Sequence, residues 1–296
     1  MGLATLRGLP QRIDDMQQAI GRIELRQLQQ LNSPDLQSNE FKVSSQWGED
    51  GIIQFLLSRV PITNKVFVEF GVGDYRESNT RFLLKHDNWG GLVIDGSTRN
   101  VQRLKLDQVF WQQDLKADCA FITRDNINEL ISRNGIGGDI GILSVDIDGN
   151  DYWIWEAITC INPRIVICEY NSLFGPRKNV TTPYQDDFQI FKAHYSGLYW
   201  GASIGAFDSL AKKKGYTLVG SNSAGNNVFF VRDDVLNGVK SHAPAQAHVE
   251  SRFRISRDMK GQLSFLDKEA GLELIKDLPL VDVDGKKTVT VKDLME

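Results

Sequence analysis

Apolar residues recur along the middle of the chain in short, nearly continuous runs set apart by helix-length polar intervals. The runs are Val66–Phe70, Leu92–Ile94, Val109–Gln112, Gly141–Val145 and Arg164–Cys168. Runs without polar alternation predict strands covered on both faces, as in a parallel sheet. The stretches between them predict helices over 44–60, 126–133 and 152–158. Ile52, Ile53, Leu56, Leu57 and Val60 form the buried face of the first. The last pair of runs is different. Tyr216–Val219 and Val228–Val231 flank the turn-rich segment SNSAGNN and predict an antiparallel hairpin. The fold class expected is therefore α/β: a Rossmann-like sheet, mostly parallel with a C-terminal antiparallel hairpin strand, helices on both faces.

Two flanking regions break this rhythm. Leu9, Ile13, Met16, Ile20 and Ile23 repeat at alternating spacings of four and three within a Gln-rich helix over residues 9–31. Such a stripe pairs with another subunit or docks on the domain. Asn32-Ser33-Pro34-Asp35 ends the helix with turn chemistry. From about His242 the pattern becomes short apolar pieces without a long period, an appended strand-and-helix segment. The division expected is 1–35, an assembly or docking helix; 36–238, the main domain; and 239–296, the appended segment.

Composition narrows the function without naming it. The chain has 296 residues, 41% hydrophobic and 24% charged, with a net charge of -4. That balance offers no general attraction for nucleic acid or an anionic membrane. Cys119, Cys160 and Cys168 lack CxxC spacing, which argues against a disulfide framework or zinc site. The N-terminal stretch MGLATLRGLPQRIDD has no apolar signal core, and no run approaches membrane-spanning length. The expected compartment is the reducing cytoplasm.

Candidate chemistry gathers at two strand exits. The first, FVEFGVGDYRESNT, puts Glu69, Gly71 and Gly73 at the end of one strand, and Asp95 closes the next. Glycines there let backbone approach a ligand, and a terminal carboxylate can accept from ribose hydroxyls. A dinucleotide site would place a third glycine where Arg76 stands, and Glu69 would repel a diphosphate. A carboxylate in that turn suits a cationic ligand, which favours S-adenosyl-L-methionine over NAD. Asn79 and Gly96 belong to the same two turns. Gln46, Glu49 and Asp50 either reach the cofactor or cap their helix. Asp114, at the end of the third run, either contacts adenine or lies on a surface turn.

The second exit, GILSVDIDGNDYW followed by VICEYN, presents Asp146, Asp148, Glu169 and Asn171. Crowded acids need a cation or a shared proton. Asp148, Glu169 and Asn171 are oxygen donors suited to Mg2+ or Ca2+. Asp146 or Asp148 would serve as general base for an alcohol acceptor, or one of these acids caps the helix beginning at Asn150 or Asp151. His194, within FKAHYSGLYWGAS, is a second candidate base or metal ligand, or a structural histidine.

Taken in order, SQWGEDG, FVEFGVGDYRESNT, VIDG, SVDIDGNDYW, ICEYN and GYTLVGSNSAGNN resemble the FkbM-type methyltransferases across about residues 44–232. The resemblance implies a class I, S-adenosylmethionine-dependent O-methyltransferase, with the sheet and closing hairpin of the class I methyltransferase fold. It assigns Glu69, Gly71 and Gly73 to the cofactor loop, Asp95 to the ribose and Asp146 with Asp148 to an acidic pair. That pair is similar to one in magnesium-dependent sugar O-methyltransferases, where one aspartate is the base and another binds metal. Those enzymes have two adjacent aspartates after strand five, where this chain has Glu169-Tyr170-Asn171. The expected acceptor is a hydroxyl of a sugar, glycan or sugar-bearing metabolite, in a homo-oligomer joined through the N-terminal helix. The rival expectations are a non-sugar acceptor and a non-catalytic assembly partner.

Overall fold

The computed structural model describes residues 9–295. The first eight residues, part of the stretch expected to lack a signal core, lie outside them. In chain order the elements of the main sheet and its helices are α1 (Leu9–Leu31), α2 (Glu49–Arg59), β1 (Val66–Phe70), α3 (Arg81–His86), β2 (Gly90–Asp95), α4 (Thr98–Leu106), α5 (Gln108–Gln112), β3 (Leu115–Cys119), α6 (Ile127–Arg133), β4 (Gly138–Val145), α7 (Asp151–Ala157) and β5 (Ile161–Glu169). An excursion with β6 (Val180–Thr181) and α8 (Ile190–Ala193) follows, then α9 (Ile204–Lys214), β7 (Tyr216–Ser221) and β8 (Asn227–Arg232). The tail contains α10 (Pro244–Ala247), α11 (Lys268–Ile275), β9 (Pro279–Asp282) and β10 (Lys287–Thr290).

Seven strands form one sheet in the order β3-β2-β1-β4-β5-β8-β7. The first five are mutually parallel, and β8 runs antiparallel to both β5 and β7. This is the class I methyltransferase arrangement expected from the hairpin. Its order reverses between β1 and β4, so the crevice outside their carboxyl ends is where an open α/β sheet binds a ligand. Side chains alternate across β1. Val68 and Phe70 enter one core with Leu143, Val145, Trp155 and Phe207, while Phe67 enters the other with Ile52, Ile53, Ile142 and Phe229. Burial on both faces explains why the central strands carry almost no polar positions.

One expected strand is a helix. Val109–Gln112 looks extended because it is β-branched and aromatic, yet Asp107 caps Val109 N–H at 3.0 Å and starts the single helical turn α5. Trp111 of that turn is exposed. The true third strand, Leu115–Cys119, is an edge strand with only Leu115 fully buried, so it lacks an apolar run.

The N-terminal helix docks on one side and stays bare on the other. Leu25 and Leu28 pack against Phe41, Val43 and Phe82, and Asp14 pairs with Lys85 and Arg81. The heptad stripe faces away, with Met16 65% and Ile20 54% exposed. The tail packs beside the excursion that follows β5. Strands β10, β9 and β6 make a small antiparallel sheet. Leu272, Ile275 and Leu280 form a satellite core there with Phe174 and Tyr199. Among the described residues no helix is long and apolar enough to cross a membrane.

Candidate active site

The two glycine- and acid-bearing turns meet at the carboxyl edge of the sheet. Gly71 has φ +72°, and a Cβ on it would fall 1.6 Å from the Asp146 carbonyl oxygen. Only glycine permits this approach of the β1 and β4 exits. Gly73, also left-handed at φ +55°, has nothing within 4 Å of where a Cβ would be. Its N–H donates to Asp95 Oδ2 at 2.8 Å, while Asp95 Oδ1 accepts from Ser97 N at 2.8 Å and Asn100 Nδ2 at 3.2 Å. A carboxylate has about four acceptor positions. Asp95 therefore keeps room for about one more hydrogen bond, and otherwise ties the β2 turn to the β1 turn.

Glu69 is buried between them. Its Oε1 accepts from Asn79 N at 2.8 Å, and its Oε2 accepts from the Thr80 N–H and hydroxyl. Asn79 in turn donates to the Ser144 hydroxyl at 3.1 Å. Burial raises the Glu69 carboxyl, and these hydrogen bonds oppose the shift. Glu69, Asn79, Gln46, Gly71, Asp146 and Asn227 all line one cavity of about 160 Å³.

Beyond the cavity stands the acidic mouth. One carboxylate oxygen each from Asp146, Asp148 and Glu169 lie within 4.8 Å of one another. Burial and the neighbouring Asp148 and Asp151 charges push Asp146 well up, and Glu169 rises for the same reasons. Carboxylates this close repel one another when both are ionised, which favours a proton or a cation between them. Glu169 Oε2 is buried without any partner. Acceptors packed together with one orphaned are what an oxygen-liganded divalent cation relieves, so these three residues fit such an ion. Asp148 is exposed at the rim, in a left-handed conformation with φ +56°. Surrounding protein still raises its carboxyl, an effect its solvent access moderates. None of these acids caps α7, whose first residue is Asp151. Asp151 accepts from Ile147 N at 2.9 Å and Gly149 N at 2.8 Å, which fixes the loop that carries Asp148.

Several expected residues have other tasks. Asp114 precedes β3 and lies against Gly90 at the amino ends of the strands, the edge opposite Gly71 and Asp95, so it cannot touch a ligand there. The error follows directly from the misplaced third strand. Asn171 is not a metal ligand. Its Nδ2 donates to the Leu198 and Trp200 carbonyls at 3.0 and 2.9 Å, and its Oδ1 caps Leu173 N–H at 3.1 Å. His194 is not among the groups that converge with the acids; its Nδ1 is held by the Ser196 hydroxyl at 2.8 Å. Asp50 is spent on Val43, Ser44 and Ser45 N–H, and burial pushes its carboxyl up to about 6. Gln46 does line the cavity, where Asn226 holds its side chain at 3.3 Å. Gly96 is exposed and open, with the Phe121 ring 3.6 Å from its Cβ position.

Two residues had no decisive signal. Asn227 opens β8 beside Glu169 in the sheet register and is 3% exposed. Its Nδ2 donates at 2.9 Å to Glu49, whose carboxylate also receives Asn222 Nδ2 at 2.6 Å and the Trp47 and Gly48 N–H groups. A carboxylate can accept only the amide nitrogen, so Asn227 Oδ1 must point the other way, where it has no partner. Phe121, just past β3, is an exposed aromatic at the ligand edge. A single aromatic in the short run Ala120-Phe121-Ile122, and an Asn in a turn-rich segment, were the only hints of either.

No protein-family model matches the chain, and no curated protein does. Solved structures with a similar fold include an S-adenosylmethionine-dependent methyltransferase from Clostridium acetobutylicum, 10% identical over 62% of this chain and 90% of that one, with a TM-score of 0.40. The N-terminal domain of EvdMO1 with SAH bound is 9% identical over 71% and 95%, with a TM-score of 0.41. PKMT2 from Rickettsia typhi in complex with AdoHcy is 12% identical over 62% and 52%, with a TM-score of 0.40. At such distances no residue role transfers.

Proposed function

We propose that the chain is an S-adenosylmethionine-dependent methyltransferase whose acceptor atom is a hydroxyl oxygen of a sugar, glycan or sugar-bearing metabolite. The observation that carries the cofactor assignment is the 160 Å³ cavity bounded by Glu69, Asp146 and the unpartnered Asn227 carbonyl. Acidic and carbonyl oxygens gathered around one hollow favour a cation there. The ammonium of a methionyl group supplies three donors and a positive charge, and a sulfonium supplies a second charge nearby. A dinucleotide's diphosphate would meet the same oxygens and be repelled. Ligand pockets usually measure about 300–1,000 Å³, so this cavity holds only the amino-acid end. The nucleoside then lies along the open edge at Asp95 and Gly96, with Phe121 as a stacking face for the base.

The bound cofactor supplies an electrophilic methyl whose departure leaves a neutral thioether. What this chain adds is alignment, which is worth several kcal/mol in an in-line displacement. Asp146 faces the cofactor cavity, and Asp148 is the carboxylate that an arriving hydroxyl can reach, so Asp148 takes the acceptor proton. A divalent ion on Asp146, Asp148 and Glu169 would lower that hydroxyl's pKa. Asp151 holds the Asp148 loop through two N–H groups. The bare stripe on α1 pairs with the same helix of a second copy, which gives a homo-oligomer.

Calorimetry with S-adenosylhomocysteine tests the central claim, and binding in the micromolar range is expected. No heat at millimolar ligand would end it. Transfer of a labelled methyl group to a panel of sugars tests the base, since Asp148→Asn should slow turnover by roughly 10²–10⁴. The affinity for S-adenosylhomocysteine should stay within a few-fold, and a variant with full turnover would remove Asp148 from that role.

A further inference from the structure

The appended C-terminal segment roofs a second cavity of about 300 Å³, larger than the one between Glu69 and Asp146. Its floor is Tyr170 and Asn171, immediately after Glu169 on β5, and its roof includes Phe253 and Leu266. The walls are tied down from both sides. Tyr170 donates its hydroxyl proton to the Val249 carbonyl at 2.8 Å and accepts from Val249 N at 3.1 Å. Ser251 N donates to the Ser172 hydroxyl at 3.0 Å, and Asn171 fixes the Leu198 and Trp200 carbonyls. The pocket is therefore preformed. It also neighbours the cofactor cavity: Gly225 lines one and Asn227 the other, and Phe253 stacks at 5.3 Å on Trp47, next to Gln46.

Its charges are unequally engaged. Arg254 and Lys268 line the pocket, and neither forms an ion pair among the described residues. Arg254 makes one hydrogen bond, to the Phe265 carbonyl at 3.2 Å. Of the two acids present, Asp267 caps α11 through Ala270 N at 2.9 Å and Glu250 is exposed at the rim, as Arg254 is, while Lys268 is half-buried. We propose that this pocket is the acceptor site, that it takes one sugar-sized ring bearing a carboxylate or phosphate, and that Arg254 and Lys268 hold that anion. The inference rests on the methyltransferase reading and adds to it the class of acceptor. A guanidinium matches either anion with paired hydrogen bonds, and a partly apolar pocket strengthens the attraction. Glu250 remains to accept from ring hydroxyls. The apolar faces of Phe253, Leu198 and Leu266 suit the C–H face of a ring. A neutral sugar would offer neither cation an anion, and the volume holds about one ring.

The test titrates the full-length protein with D-glucuronate, glucose 6-phosphate and D-glucose, with and without S-adenosylhomocysteine, by calorimetry. At least one of the two anions should bind about tenfold tighter than glucose, as expected for hydrogen bonds to a charged partner. Preference for glucuronate or for the phosphate tells the two anions apart. The double variant Arg254→Gln, Lys268→Gln should abolish that preference yet leave S-adenosylhomocysteine affinity unchanged. Equal affinity for the neutral sugar, an undiminished preference in the variant, or no sugar binding at all overturns the proposal. Failure of the cofactor reading would appear separately, as absent S-adenosylhomocysteine binding.

Discussion

Gly71 and Gly73 sit two positions apart in one turn, both with positive φ, yet replacing them with alanine should have unequal consequences. At Gly73 the new methyl enters open space, so the cost is the left-handed backbone alone, about 1–2 kcal/mol. Part of that is offset because alanine restricts the unfolded chain, by about 0.4–1 kcal/mol. At Gly71 the same strain applies, and the methyl would stand 1.6 Å from the Asp146 carbonyl oxygen. That oxygen is backbone and cannot rotate aside, so the β1 and β4 exits must separate by more than an ångström. Overpacking of this sort adds about 1–3 kcal/mol, for a total near 3 kcal/mol or more. The displaced turn carries Asp146, so cofactor affinity should fall with stability. Urea unfolding and S-adenosylhomocysteine calorimetry on both variants would measure this. Gly71→Ala should lose about 2 kcal/mol more stability than Gly73→Ala and about a hundredfold more affinity. Equal losses in the two variants would refute the claim that close approach at Gly71 builds the site.

Three further outcomes follow from the same geometry. Burial pushes Asp151 up to about 7, so the folded state holds its proton more tightly than the unfolded chain does. Stability from this group should fall as pH rises from about 4 towards 7 and level off above, and Asp151→Asn should flatten that part of the urea midpoint profile; an unchanged slope would contradict it. Burial and neighbouring carboxylates raise Asp146 and Glu169, so a Mg2+ ion held there would compete with protons, its affinity should increase with pH and its binding should release protons. Calorimetry in two buffers would show this, Glu169→Gln should eliminate it, and pH-independent affinity would count against the site. Ile20 is 54% exposed on the bare face of α1, so Ile20→Glu should leave the unfolding midpoint nearly unchanged while dissociating the oligomer in sedimentation velocity. A wild type that sediments as a monomer would dismiss the helix pairing.

The sequence by itself determined the sheet. Runs buried on both faces tolerate almost no polar residue, so the central strands announced themselves, and the turn between Tyr216–Val219 and Val228–Val231 marked the antiparallel pair. The strand exits were equally readable, because Glu69, Gly71 and Asp146 are polar or small where an apolar run stops. Edge elements were not. Leu115–Cys119 faces solvent along much of its length, and the apolar turn before it drew the strand assignment away and took Asp114 with it. The tertiary structure alone decided which of several suitable donors meet. Asn171 and Glu169 are two residues apart on one strand exit, but one bonds to backbone and the other faces the acids. Glu49 and Asn227 are 178 residues apart, so no local spacing could show that one carboxylate turns the other's amide toward the cavity. Hydrophobic periodicity is a property of neighbours in the chain, whereas hydrogen-bond satisfaction is a property of neighbours in space.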